Sequence, residues 1–152
     1  MLAYRLVKEH WAGSALDGSG ARAYGGRWNS HGTPILYTSG SIALAALELL
    51  VHLGRGQVLG SYRQFTLSIP DSSVQRLDPS DLPLDWRADR LPVSTARLGD
   101  GWAASRRSLA LLVPSVIIPR QHNLLVSPSH PDFAAIAGNA ASEPFGYDPR
   151  LG

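Results

Sequence analysis

The sequence contains no cysteine and no long uninterrupted apolar run. The missing cysteine excludes disulfide bonds, thiolate nucleophiles and cysteine metal ligands, and it is compatible with a reducing compartment. Lys8, Glu9 and His10 interrupt the apolar N-terminus, which is not the pattern of a signal peptide. No segment has the length and apolar character of a transmembrane helix. We therefore expect a cytoplasmic protein with no membrane partner.

The sequence also lacks a large excess of either positive or negative charge. The 14 basic and 12 acidic residues are interspersed and give a net charge of +2, and the longest arginine run is Arg106–Arg107. This pattern lacks the basic stripe that binds nucleic acids, so no direct nucleic-acid partner is expected. The five histidines show no HExxH-like spacing, so no metal site is expected.

The length and composition predict one α+β domain with more strand than helix. The chain has 152 residues, of which 44% are hydrophobic, and this suffices for one core within a single domain over residues 1–152. Short apolar runs predict strands at residues 2–7, 34–38, 64–69, 109–113, 116–118 and 124–126. Helices are predicted at residues 42–54, with Ser39 or Ser41 as the cap, and at residues 94–104. Residues 13–32 are predicted to form a long loop, residues 71–90 an irregular segment, and the tail 145–151 is expected to dock on the body.

Glu48 is the candidate catalytic residue because the predicted helix around it is apolar on almost every side. An ionised carboxylate in such surroundings is costly unless it has partners, and a burial of this kind indicates a function. The alternative is that Glu48 occupies the solvent-exposed stripe of a partly exposed helix. The spacing of the neighbouring residues favours neither interpretation.

A glycine pair precedes an arginine in the segment Gly25–Asn29. The glycines let the backbone approach a ligand, the planar guanidinium of Arg27 suits a pyrophosphate or a carboxylate, and Trp28 can cover an aromatic ring. The alternative is a glycine-rich turn with Trp28 in the core and Arg27 in solvent. Residues 18–23 formally match a dinucleotide-binding motif, but no good strand precedes them and Gly25 would break the helix that should follow. We therefore reject a Rossmann site.

Ser115 lies at a break in an apolar run, where it is either a hydroxyl held toward a cleft or an ordinary turn serine. Taken together with the segments above, it completes an ordered set of motifs that resembles the RES domain family. The resemblance covers essentially the whole chain and rests on residues 3–6, 16–22, 25–29, 37–39, 43–48, Trp102, 113–115, Asn123, 127–133 and 145–151. The family is named for an arginine, a glutamate and a serine, which correspond to Arg27, Glu48 and Ser115 in this sequence.

The resemblance implies a fold like the ADP-ribosyltransferase toxins, with a split β core around an NAD cleft and flanking helices. Breaking the bond between nicotinamide and ribose passes through an oxocarbenium-like ribose, so the site needs negative charge near the sugar and a grip on the pyrophosphate. Glu48 is expected at the ribose, Arg27 on a phosphate, Tyr37 near nicotinamide, and Ser115 orienting Arg27 or the ribose. Further NAD contacts are expected from Arg5, Trp28, Asn29 and Asn123.

The function implied by the resemblance is that of a toxin of a type II toxin–antitoxin pair that consumes NAD by hydrolysis or phosphorolysis. Its expected partner is a cognate Xre-like antitoxin with a helix-turn-helix DNA-binding domain. A close alternative is a mono-ADP-ribosyltransferase that modifies a host metabolic protein with NAD as donor. A more distant alternative is an RNA-cleaving toxin or a non-catalytic binding module that uses Arg27, His31 and His52. The near-neutral charge argues against tight RNA binding.

Overall fold

The computed structural model describes residues 1–54 and 56–152, and these residues form a seven-stranded mixed sheet. The strands are β1 (Leu2–Lys8), β2 (Leu36–Ser39), β3 (Tyr62–Ser68), β4 (Val74–Arg76), β5 (Ala110–Pro114), β6 (His122–Val126) and β7 (Ala141–Phe145). Their order across the sheet is β4-β5-β6-β2-β1-β3-β7. The pair β4 and β5 is parallel, and the other neighbours are antiparallel.

Four α-helices accompany the sheet in the described part of the chain: α1 (Ser19–Tyr24), α2 (Ile42–Leu50), α3 (Val93–Ser105) and α4 (Phe133–Gly138). Of the two predicted caps for α2, Ser41 is the right one, because its side chain accepts a hydrogen bond from the backbone N–H of Leu44 at 3.1 Å. The predicted α+β class is confirmed. Across residues 1–54 and 56–152, none of the helices has the length and apolar character that crossing a membrane requires.

The core lies on both faces of β5 and β6. Leu112 and Leu124 face one cluster, to which residues of α4 add their side chains. Leu111 and Leu125, on the opposite face, pack in a second cluster with Trp102 of α3. Successive residues of a strand point to opposite faces, so a strand covered on both sides needs apolar residues at every position. This explains the apolar runs at 110–114 in β5 and 124–126 in β6, whereas His122 and Asn123 at the start of β6 are only partly buried.

A seam between β1 and β2 gives the sheet its split. In the described chain a single register pair, Tyr4 with Ser39, joins these two strands, whereas seven pairs join β1 to β3. The sheet therefore has one half containing β4, β5, β6 and β2 and another half containing β1, β3 and β7. The split β core expected from the family resemblance takes this form, and the candidate site lies at the seam.

Three sequence predictions were wrong. Residues 13–32, predicted as a loop, contain α1, and residues 71–90, predicted as irregular, contain β4. Residues 116–118 form bends rather than the predicted strand. The hydroxyl of Ser115 accepts the backbone N–H groups of Ile117 and Ile118, both at 3.1 Å, and so turns the chain at this point.

The C-terminal tail docks on the body, as the sequence predicted. Tyr147 is buried, and its ring makes edge-on contacts with Tyr62 and Phe145 at centroid distances of 5.3 and 5.2 Å. Its hydroxyl donates a hydrogen bond of 2.6 Å to the carbonyl oxygen of Ala46, within α2. The tail therefore helps to fix the position of the helix that carries Glu48.

Candidate functional site

Two cavities of about 760 and 540 Å³ open along the seam of the sheet. Both have the size of cavities that bind small molecules and cofactors. They share the lining residues Arg5, Gly20, Tyr37, Glu48, His52 and Asn123. The two cavities are therefore neighbouring compartments of one cleft, with these six residues at the junction.

Glu48 projects from α2 into this junction and is half-buried. Its Oε1 accepts a hydrogen bond of 2.8 Å from the hydroxyl of Ser115 and one of 2.6 Å from the side-chain amide of Asn123. Among the described residues no hydrogen bond is made to Oε2, so the second oxygen is available to a ligand. A carboxylate with one oxygen held by two donors is fixed in orientation while its charge faces the cleft.

The partners of Glu48 are themselves held in place. Ser115 is fully buried. Its hydroxyl oxygen accepts hydrogen bonds from two backbone N–H groups, and this leaves its hydroxyl hydrogen to point toward the carboxylate. The Oδ1 atom of Asn123 accepts a hydrogen bond of 2.7 Å from the hydroxyl of Ser39, which turns its amide nitrogen toward Glu48. This network joins β2, β6 and α2 at the junction.

The helix around Glu48 differs from both sequence interpretations. Ile42, Leu47 and Val51 are exposed, so apolar residues also lie on the solvent-facing side of α2 and at its C-terminus. Glu48 itself is half-buried and is not a fully buried charge. The residue also does not lie on an open solvent stripe, because it has two directed hydrogen-bond partners and lines both cavities. Glu48 is a half-buried carboxylate facing a cleft.

Arg5 crosses the seam from β1. Its Nε donates to the carbonyl oxygen of Ala15 at 2.6 Å, and its Nη1 donates to the carbonyl oxygen of Tyr37 at 2.9 Å. Burial lowers the pKa of the Arg5 guanidinium, and the nearby Asp17 carboxylate partly offsets this shift. The group still carries a positive charge at neutral pH. Its Nη2 makes no hydrogen bond within the described residues and is free for an anionic ligand.

Arg27 lines the smaller cavity at the end of a glycine turn. Gly25 has a φ of +71°, in the left-handed region that favours glycine. A Cβ added to Gly26 would come within 2.7 Å of the Tyr37 hydroxyl, so the turn packs directly against that ring. The Nη1 of Arg27 donates to the carbonyl oxygens of Trp86 and Ala88 at 2.8 and 2.9 Å. The Nε and Nη2 edge of the guanidinium makes no hydrogen bond to any residue the structure describes.

Helix α3 holds the Arg27 turn from behind. The hydroxyl of Thr95 donates a 2.5 Å hydrogen bond to the carbonyl oxygen of Arg27, and Asp100 accepts the backbone N–H of Ser30 at 2.9 Å. Gly99 lies between them, and a Cβ added there would meet the carbonyl oxygen of Trp28 at 1.7 Å. Thr95 and Gly99 lie one turn apart on the same helix face, and Asp100 lies beside that face, so together they form the platform for the turn.

Trp28 and Asn29 lie in the interior. Trp28 lines the smaller cavity, but it is 3% exposed and packs in the second core cluster with Trp102, so its ring is almost wholly covered by protein. Asn29 is 1% exposed, and its amide donates to the carbonyl oxygens of Ala21, Ser30 and Thr33. Of the two interpretations of Trp28, the structure therefore agrees with the one that places it in the core under a glycine-rich turn.

Tyr37 connects this interior to the cleft. Its hydroxyl donates to Oδ1 of Asn29 at 2.6 Å and accepts the backbone N–H of Trp28 at 3.0 Å. Burial raises the pKa of the Tyr37 phenol, and the Trp28 hydrogen bond opposes this only partly. The phenol is therefore neutral and anchored, and the ring lines both cavities.

Six of the eight predicted site residues line the cavities, namely Arg5, Arg27, Trp28, Tyr37, Glu48 and Asn123. Ser115 contacts the cleft through its hydrogen bond to Glu48, and Asn29 lies behind it, bonded to the Tyr37 hydroxyl. Sequence reasoning missed the residues that orient them, namely Ser39, Thr95, Gly99 and Asp100. A signal was available for one of these, since a glycine inside a predicted helix indicates a close packing contact. In the described part of the chain, no three His, Asp or Glu side chains are grouped as ligands for a metal ion.

Comparison with known proteins gives relatives over nearly the whole chain. The sequence profile of the RES domain matches residues 2–148. A Toxin Res of Yersinia enterocolitica is 40% identical over 151 residues, which cover 99% of each protein. A Prs ADP-ribosylating toxin of a Sphingobium species is 40% identical over 139 residues, covering 90% of this chain and 86% of that protein.

A solved structure has the same fold. It is a chain of the MbcT–MbcA toxin–antitoxin complex of M. tuberculosis, which superposes with a TM-score of 0.73 at 22% identity. The match covers 99% of this chain and 85% of the other chain. At this level of identity the likeness establishes the fold alone.

Proposed function

The chain belongs to the RES domain family, and on this basis we propose that it is a toxin that consumes NAD by breaking the bond between nicotinamide and ribose. The observation that carries the proposal is the Glu48 carboxylate, with Oε1 bound by Ser115 and Asn123 and Oε2 open to the cleft. The cationic groups of Arg5 and Arg27 line the same cleft. One carboxylate and two cations in the same cleft match a ribose that lies beside a pyrophosphate.

In the proposed reaction the bond between the ribose C1′ and the nicotinamide nitrogen breaks. The bonding electron pair leaves with nicotinamide and neutralises its pyridinium charge, so positive charge develops on the ribose. The Oε2 of Glu48 stabilises that charge and accepts a hydrogen bond from a ribose hydroxyl. A fixed carboxylate needs no reorganisation when the charge appears, and this preorganisation is the main source of such stabilisation. Water, inorganic phosphate or a protein side chain then attacks C1′.

Arg5 and Arg27 hold the two phosphates in this account. Each guanidinium is oriented by backbone carbonyl oxygens and retains donors that make no protein hydrogen bond in the described residues. The Nε and Nη2 edge of Arg27 gives a planar two-point contact to phosphate. The ring of Tyr37 provides a surface beside nicotinamide at the junction of the two compartments. Ser115 acts on Glu48 rather than on Arg27, since its hydroxyl donates to the carboxylate.

The relatives support a place in a toxin–antitoxin pair. Proteins named Toxin Res from Yersinia enterocolitica and Pseudomonas putida are 40% and 34% identical to this chain. The M. tuberculosis chain of the same fold is part of a toxin–antitoxin complex. We propose a cognate antitoxin with an Xre-like helix-turn-helix DNA-binding domain as the partner, and the cytoplasm, where NAD is available, as the compartment.

Transfer of ADP-ribose to a protein is the second candidate. It is favoured by the relative named Prs ADP-ribosylating toxin, which is 40% identical over 90% of this chain. Both reactions share the same bond cleavage and the same Glu48, and they differ in the acceptor that attacks C1′.

Product analysis tests the proposal. Purified protein is incubated with NAD, with and without inorganic phosphate and a cell lysate, and in parallel with total RNA. We expect nicotinamide in every NAD reaction, and the partner product identifies the acceptor as free ADP-ribose, its 1″-phosphate or labelled protein. Intact NAD together with fragmented RNA would instead establish the RNA-cleaving alternative.

A further inference from the structure

Two aromatic side chains at the mouth of the larger cavity have no role in the fold. Trp11 is 59% exposed and Tyr24 is 88% exposed, and both line this cavity. Neither belongs to a core cluster of the described residues. One neighbour of the Trp11 ring is His10, at a centroid distance of 4.8 Å and an angle of 48°, and most of the indole stays open. Large aromatic rings without packing partners at a cleft mouth are typical of a surface for a planar ligand.

These rings lie at a distance from the reacting centre. Arg5 lines both cavities and so lies at the junction with Glu48. Lys8, three residues further along β1, lines the larger cavity but not the smaller one. A strand rises about 3.3 Å per residue, so the Cα of Lys8 is about 10 Å from that of Arg5, and Trp11 and Tyr24, like Lys8, line the larger cavity without reaching the smaller one. The two exposed aromatic rings and Lys8 therefore belong to the part of the larger cavity that is away from the junction.

The charge of the larger cavity fits a nucleotide. Its basic lining residues are Arg5 and Lys8, and Glu48 at the inner end is the acidic lining residue among those described. Beside the Glu48 carboxylate at the junction, the cavity therefore offers two cations and, away from the junction, two aromatic rings. The nicotinamide end of NAD must lie at Glu48, where its bond breaks, so the outer end receives the part of the substrate that does not react.

We propose that Trp11 and Tyr24 bind the adenine ring of NAD at the mouth of the larger cavity, with Lys8 beside the adenosine phosphate. This inference rests on the proposed function and adds the direction in which the substrate lies. Nicotinamide and its ribose then occupy the smaller cavity, where Arg27 holds the phosphate nearest to the reacting ribose. Stacking of a base on an aromatic side chain is strong enough for either ring to govern substrate affinity.

The test compares NAD with nicotinamide mononucleotide, which has the reacting bond but no adenosine. The variants are Trp11→Ala, Tyr24→Ala and the ring-preserving Trp11→Phe and Tyr24→Phe, with Leu84→Ala, an exposed apolar residue outside both cavities, as control. We expect each alanine variant to raise KM for NAD about 5- to 150-fold with little change in kcat. The phenylalanine variants and the control stay close to wild type, and turnover of the mononucleotide is unchanged.

Binding of AMP by calorimetry decides the matter even if catalysis is absent. Wild-type protein is expected to bind AMP, and Trp11→Ala to bind it about 5- to 150-fold more weakly. Unchanged KM for NAD in both alanine variants overturns the proposal, as does an equal loss with NAD and the mononucleotide, or wild-type affinity of Trp11→Ala for AMP. Loss of antitoxin binding in these variants with unchanged NAD kinetics would make the mouth a protein interface. Wild-type protein that binds AMP but releases no nicotinamide instead contradicts the proposed reaction.

Discussion

Replacing Arg27 with lysine tests the phosphate contact, because it preserves the charge and removes the planar fork. In the structure Nη1 of Arg27 donates to two carbonyl oxygens, those of Trp86 and Ala88, and leaves the Nε and Nη2 edge for phosphate. A lysine has one nitrogen and cannot serve both partners at the same time. The variant must give up either the turn at residues 86–88 or one of the two phosphate hydrogen bonds.

The magnitudes of these losses differ. A hydrogen bond between charged groups contributes about 1.5–3 kcal/mol, which corresponds to a decrease of about 10- to 150-fold in kcat/KM for NAD. The bonds to the carbonyl oxygens lie in a partly exposed region, so their loss lowers the free energy of unfolding by about 1 kcal/mol. We therefore expect a folded protein with severely reduced NAD turnover.

Nicotinamide release from NAD and from nicotinamide riboside separates the two effects. The riboside has no phosphate, so Arg27→Lys should reduce turnover of NAD and leave turnover of the riboside near the wild-type level. Arg97→Lys, on an exposed part of α3 outside both cavities, is the matched control. Unchanged kcat/KM of Arg27→Lys with NAD would refute the phosphate contact and make Arg27 a structural residue of the turn.

Three further predictions concern the platform, the tail and the partner. Gly99→Ala should lower the free energy of unfolding by about 3 kcal/mol, because the new Cβ meets the Trp28 carbonyl oxygen at 1.7 Å, whereas Gly101→Ala in the same helix has nothing within 4 Å and should be tolerated; equal urea midpoints would contradict this. Burial raises the pKa of Tyr147 from 10.0 to about 12, so the stability that its neutral form contributes is complete below pH 10 and is lost as pH rises toward 12. Tyr147→Phe should therefore reduce the loss of melting temperature at alkaline pH, and an unchanged loss would show that Tyr147 is not its cause. The antitoxin should compete with NAD, because an acidic side chain or a terminal carboxylate inserted beside Arg5 would occupy the phosphate position. A calorimetric titration in which saturating antitoxin leaves the affinity for NAD unaltered would show that the antitoxin binds elsewhere.

Where local pattern and tertiary packing agree, the sequence was sufficient for prediction. Helix α2 has a capping serine and apolar spacing, and β5 and residues 124–126 of β6 are apolar because both of their faces are covered. Such elements can be recognised from a single segment of the chain.

Elements held by distant contacts escaped prediction. The short helix α1 lies in a glycine-rich stretch, and it is held by the Asn29 amide on Ala21 and by the Gly32 N–H on the carbonyl oxygen of Arg22. Strand β7 contains Pro144, and a proline argues against a central strand because it lacks a backbone N–H donor. In the structure β7 is an edge strand, where proline is tolerated.

The candidate site shows the same division. The family resemblance identified Glu48, Ser115 and Asn123 as separate residues, but their hydrogen bonds join positions 67 and 75 residues apart in sequence. Local pattern carries no information about such contacts. Trp28 and Asn29 lie beside Arg27 in sequence, yet both side chains are buried, whereas Arg27 is half-buried at the cleft.

Nicotinamide release from NAD by wild-type protein and by Glu48→Gln tests the central claim most directly. The glutamine side chain keeps an amide oxygen that can accept the hydrogen bonds from Ser115 and Asn123, so the fold is preserved while the charge facing the cleft is removed. We predict that wild-type protein releases nicotinamide and that the variant, with an unchanged melting temperature, releases it at least about 100-fold more slowly. A folded Glu48→Gln variant that releases nicotinamide at the wild-type rate would contradict the account.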